Sequence, residues 1–126
     1  MVTTAVVTKT YSNRAIVRDG PFGRRYYTII YAIEAPLVER IKFGRTLNID
    51  KRFRQLASAS PVSLNLLGSV WLPDDAEADV HTYLRPDHSH GEWFCVTERT
   101  REIATLIATK SVRRLAEIVQ IRNLLE

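Results

Sequence analysis

Cysteine is nearly absent from this chain: Cys95 is the only one in 126 residues. One thiol excludes an internal disulfide and leaves no paired-cysteine metal cluster, which fits a reducing, cytoplasmic setting. No apolar run approaches the roughly 20 residues that a helix needs to cross a bilayer, so no membrane-spanning helix is expected. The first residues, Met1 to Val7, lack the basic start and long apolar stretch of a signal peptide. Gly44 has no second glycine at the spacing of a phosphate loop, G-x-x-x-x-G-K-[ST], so an NTPase is not expected. No Ser/His/Asp arrangement surrounds Cys95. It follows Trp93-Phe94 and is expected in the interior. Internal repeats, low-complexity segments and flexible linkers are also missing.

What remains is an ordinary globular composition, long enough to bury one core. Lysine plus arginine is 18 against 14 acids, a formal charge of +4. That excess is moderate and favours a polyanionic partner. Arginine dominates the cations and can grip phosphate with two parallel hydrogen bonds.

The pattern along the chain predicts an α+β domain with a small three-stranded antiparallel sheet flanked by helices. Residues 1–25 read as an extension, with short strands at Val2–Thr10 and Ala15–Arg18. Tyr26–Ile33 is almost wholly aromatic and β-branched and is the strongest strand. Arg40–Thr46 follows a Pro36 turn and makes a hairpin with it. Asn48 is the expected N-cap of a helix from Ile49 to about Ser58, with Ile49, Phe53 and Leu56 as its buried stripe. Arg52 falls roughly 60° from that stripe, at the margin of the core. Leu64–Leu72 is the third strand, with Gly68 marking a bulge. A helix is expected over Ala76 to Leu84, then a polar loop over Arg85–Gly91. Thr97 caps a helix to about Thr109, and Ser111 caps another that runs nearly to Glu126. The domain is thus expected over 26–108, with a helical tail over 109–126.

The most informative stretch is Lys42-Phe43-Gly44-Arg45-Thr46, followed on the next helix by Arg52. It puts cations and bare glycine backbone at one sheet edge, a layout suited to phosphate. Glu77 is the candidate acid and shares a helix face with His81, four residues on. Asp74-x-x-Glu77 also has the form of an N-terminal capping box, so Glu77 reads either as a cap or as a divalent-metal ligand. Tyr31 and Tyr27 share a strand face, where core packing is the default. His88 and His90 form His-x-His, a weak zinc signal in a polar loop.

Taken together, these residues resemble the GIY-YIG nuclease superfamily. Ile29-Ile30-Tyr31 matches its first motif and Lys42-Phe43-Gly44 its second. Arg45, Arg52 and Glu77 fall on its basic, helix-arginine and glutamate positions. The agreement is with a phage and bacterial branch that reads K-I-G-x-T at the second motif. That branch also carries Glu-x-x-x-His, here Glu77 and His81, and Gly-Glu-Trp-Phe, here Gly91 to Phe94. Coverage runs from about Tyr26 to Leu106. Ile29 stands where the first motif has glycine, and Lys42 where the second has tyrosine.

The resemblance implies a DNA-binding endonuclease that uses one Mg²⁺ or Mn²⁺. Glu77 would hold the metal, Arg45 and Arg52 would offset phosphate charge, and Tyr31 would orient or deprotonate water. Lys42 would assist or replace that base, and His81 would position Glu77. Arg40, Lys42, Arg45, Lys51 and Arg54 are the expected DNA contacts. A non-catalytic DNA-binding module on the same fold is the alternative. Ile118, Ile121, Leu124 and Leu125 spread around the last helix, which suggests a homodimer contact there.

Overall fold

The computed structural model describes the backbone of residues 6–11, 15–20 and 23–121, and side chains over 26–121. Strands β1 (Val6–Tyr11), β2 (Ala15–Gly20) and β3 (Gly23–Ala35) open the chain. A short 3-10 turn at Pro36–Val38 leads into β4 (Arg40–Thr46), α1 (Ile49–Ala59) and β5 (Asn65–Pro73). Then come α2 (Ala76–Tyr83), β6 (His88–His90), β7 (Trp93–Cys95), α3 (Glu98–Ala108) and α4 (Val112–Val119).

The α+β class is as expected, but the sheet is larger than three strands. It is one seven-stranded sheet in the order β1-β2-β3-β4-β7-β6, with β5 on the other edge of β3. The expected trio, β4-β3-β5, is its centre. The difference arises where short segments found free backbone. His88–His90 lies in the segment expected as loop, and with Trp93–Cys95 it continues the sheet from β4. β2 pairs with the first residues of β3, and β1 with β2, so the strands of the expected extension join the sheet. Val2 to Ala5 of the first expected strand lie outside the described residues.

β3 and β4 form the expected hairpin. Pro36 starts the turn, and Glu39, in the left-handed region at φ 54°, ends it. The register sets Tyr31 opposite Gly44, Ile33 opposite Lys42 and Ile29 opposite Thr46. Alternation then sorts the side chains between two faces. Ile30, Ala32, Ile41, Phe43, Val70 and Leu72 join one buried cluster with residues of α2, α3 and α4. Tyr31 and Ile33 are equally buried but belong to the other face. α1 contributes no fully buried residue; Ile49, Phe53 and Leu56 are only half-buried. Arg52, on α1, acts electrostatically on Tyr31 of this second face.

The helix ends follow local chemistry. The Asn48 side chain accepts from Lys51 N, and Thr97 and Thr100 close a reciprocal capping box. α4 is shorter than expected because Gln120 turns left-handed at φ 63°. Leu115, Ala116, Val119 and Ile121 enter the same core as Ile30, and Ile118 packs partly against it. Two of the four residues expected at a dimer contact are therefore used inside the fold, and Leu124 and Leu125 lie outside the described residues. Cys95 is half-buried rather than interior.

Gly68 marks a bulge, as expected: Ala32 faces Gly68 and Ile33 faces Leu66, leaving Leu67 as the extra residue. The glycine has a second cause. A Cβ there would lie 2.4 Å from the α-carbon of Ala108, where α3 crosses the sheet. Gly68→Ala must push backbone against backbone and should lower stability by about 1–3 kcal/mol. Urea unfolding measures this, and an unchanged midpoint would show that α3 does not need the close approach.

Candidate active site

β4 has one guarded edge and one that opens. Its pairing with β3 runs from Arg40 to Thr46, but its pairing with β7 ends at Lys42. One more bond, Phe43 N–H to the Glu92 carbonyl at 3.1 Å, closes that ladder. Gly44, Arg45 and Thr46 lie beyond it, with α2 alongside.

Gly44 is placed there by a steric demand. A Cβ on it would stand 2.4 Å from the Tyr31 hydroxyl and 3.0 Å from Glu92 Oε1. Only glycine lets the phenol and the carboxylate converge over one α-carbon. Tyr31 is 1% exposed. Burial, and secondarily the Glu92 charge, push its hydroxyl up to about 12, while Arg52 pulls the other way. At neutral pH it is a hydrogen-bond donor and a very weak base.

Glu77 rises from the first turn of α2. The cap reading fails here, because Asp75 is the N-cap and its side chain makes no cap bond. Instead Glu77 Oε1 faces Arg45 Nε at 3.6 Å, and Oε2 is buried without a hydrogen-bond partner. Burial, then the neighbouring Glu92 charge, hold its carboxyl above the ordinary range; His81 and Arg45 oppose them. Arg45 also donates to the Asp74 carbonyl at 3.0 Å, so the strand reaches the helix start at two points.

His81 does not bond to Glu77. Its Nε2 meets the Phe43 carbonyl at 2.7 Å, and since a carbonyl only accepts, this nitrogen carries the proton. Its ring packs edge-on to Phe94. His81 thereby fastens α2 to the strand residue before Gly44.

Lys42 pairs with Glu92 Oε1 at 2.9 Å and lies over the Trp93 ring at 5.7 Å. Glu92 is the site residue that the sequence reading left unassigned, although it stands in the Gly-Glu-Trp-Phe run. Its signal was the need of a half-buried Lys42 for an opposite charge. Tyr31, Lys42, Arg45, Glu77 and Glu92 thus gather at one place, with Arg52 near Tyr31. Lys51 and Arg54 are exposed on α1. Arg40 lies at the far end of β4, donating to Ser89 Oγ and to the Val38 and Glu39 carbonyls. In the hairpin of β6 and β7, His88 Nε2 meets the Gly91 carbonyl and His90 Nδ1 meets Ser89 Oγ. Among the described residues, no three His, Cys, Asp or Glu side chains group as metal ligands.

The family model of the T5orf172 domain matches residues 28–120, from β3 through the end of α4. No curated protein and no solved structure matches the chain. No helix among the described residues is long and apolar enough to cross a membrane.

The buried phenol gives a signed pH effect. A hydroxyl raised from 10.0 to about 12 contributes stability that is whole below pH 10 and lost as pH climbs toward 12. Unfolding followed between pH 9 and 12 should show a wild-type loss that Tyr31→Phe lacks. Equal pH slopes in the two proteins would contradict the burial of this hydroxyl.

Proposed function

The chain belongs to the T5orf172 domain family, and from that membership and the open edge of β4 we propose that it binds DNA and hydrolyses phosphodiester bonds as a metal-dependent endonuclease of the GIY-YIG kind. One observation carries the reading. Glu77 brings a buried, unpartnered carboxylate oxygen to a glycine edge flanked by Arg45 and Tyr31. A lone polar atom costs free energy unless something binds it. Mg²⁺ and Mn²⁺ prefer carboxylate oxygen, and Mg²⁺ commonly binds one or two carboxylates plus substrate phosphate. The residues present fit such an ion, with Glu77 to hold it.

Bound there, the ion supplies Lewis-acid stabilisation of charge on the phosphate. The remaining work falls to the chain. Arg52 and Arg45 bind phosphate oxygens and offset the charge that grows on them. The Tyr31 hydroxyl, protonated at neutral pH, donates a hydrogen bond and orients its acceptor. His81 keeps the Phe43–Gly44 backbone against α2. Lys51 and Arg54 take the flanking DNA backbone, while Arg40 is committed to its own turn.

A second reading is DNA binding without cleavage. It is favoured by the same Tyr31, whose raised pKa unfits it as a base, and by Lys42 where a second tyrosine would stand. Nicking of supercoiled plasmid with Mg²⁺ or Mn²⁺ separates the two. Arg52→Ala and Glu77→Ala should each lower the rate by about 10²–10³ or more, with the circular dichroism unchanged. Duplex affinity should fall with salt by about 0.9 log units per log unit for each phosphate contact. Lys51→Ala with Arg54→Ala should flatten that slope by roughly two. A wild type that binds but never nicks supports the second reading, and one that does neither contradicts both.

A further inference from the structure

The carboxylate that Lys42 holds against Glu77 has no role in the reading above. Glu92 is placed by three independent constraints. Its carbonyl takes the Phe43 N–H, which locks its backbone at the step where the β4–β7 ladder stops. Gly91, in the left-handed region at φ 55°, turns the chain into that position. Lys42 then holds Oε1 at 2.9 Å, stacked against Trp93. The result is a carboxylate brought to Gly44, with its charge acting on the Glu77 side chain.

Two carboxylates do not approach each other in a partly buried place without something between them, since like charges repel strongly there. Arg45 pairs with Glu77 and Lys42 with Glu92, so each carboxylate has its own cation. A shared proton or a divalent cation offsets the repulsion between them.

We propose that Glu92 is the second carboxylate ligand of the divalent ion at this edge, and that Lys42 is its positioning residue. The inference rests on the metal-dependent reading above and deepens it. It also gives Lys42 a reason. Where a tyrosine could donate only one hydroxyl, the lysine neutralises and anchors a ligand from the turn before β7. The second motif and the Gly91–Phe94 run are then two halves of one device, joined by the salt bridge.

The test is Mn²⁺ affinity, by calorimetry or electron paramagnetic resonance, on the full chain without DNA. Wild type is compared with Glu77→Gln, Glu92→Gln and Glu92→Asp. Glu92→Gln should weaken Mn²⁺ by roughly tenfold or more. Glu92→Asp keeps the charge but withdraws the oxygens, and it should weaken Mn²⁺ too. Wild-type affinity in Glu92→Asp would show a charge acting from a distance and overturn the assignment. Wild-type affinity in Glu92→Gln, with Glu77→Gln impaired, would overturn it while sparing the nuclease reading. A wild type that does not bind Mn²⁺ without DNA, yet nicks with it, would overturn the assignment of Glu92 as a preformed ligand. Dichroism and the urea midpoint confirm that each variant is folded.

Discussion

The Tyr31 hydroxyl lies over the α-carbon of Gly44, and the open edge depends on that contact. It exists because the β3–β4 register sets the two residues opposite each other. It is tolerated because one of them has no side chain. A slip of β3 by one residue would turn Tyr31 into the helical core and Ile30 and Ala32 out of it. The hydrophobic pattern forbids that, with Ile30, Ala32, Ile41 and Phe43 all wholly buried on one face. The burial that fixes the fold therefore also fixes the phenol beside the carboxylates.

Each neighbour of the edge is held by a bond that starts in ordinary packing. His81 joins α2 to the Phe43 carbonyl, so Glu77 rides on a helix fastened to the strand it serves. Phe94, packed on His81 and Phe43, anchors β7 and so the adjoining Glu92. Lys42 and Arg45 lie on opposite faces of β4 by alternation, yet each reaches a carboxylate at the same end. α1 supplies Arg52, whose charge acts on Tyr31. Side chains from both faces of β4 thus meet at one short segment with an open edge.

The hairpin was legible in sequence because Tyr26–Ile33 is β-branched or aromatic at every position but Ala32, and Pro36 breaks it. The start of α1 was legible from Asn48, and the Gly68 bulge from glycine inside an apolar strand. Tyr31, Arg45 and Glu77 were legible as members of an ordered motif set. β6 was not, because His88-Ser89-His90 carries no apolar alternation and pairs only because β7 offers an edge. α4 ran long in the sequence reading because nothing local announces the left-handed Gln120. The cap reading of Glu77 failed because the helix begins one residue later than Asp74 would need. Glu92 was hidden because its partner, Lys42, is 50 positions away in sequence, and only the sheet brings them together.

The most direct measurement is paramagnetic line broadening by Mn²⁺ of the backbone amides of nitrogen-labelled chain, bound to duplex DNA. Broadening centred on Gly44, Arg45, Glu77 and Glu92, and absent from them in Glu77→Gln, is the expected result. Broadening centred on His88 to His90 instead, or none anywhere, would contradict a metal-assisted phosphate site at the open edge of β4.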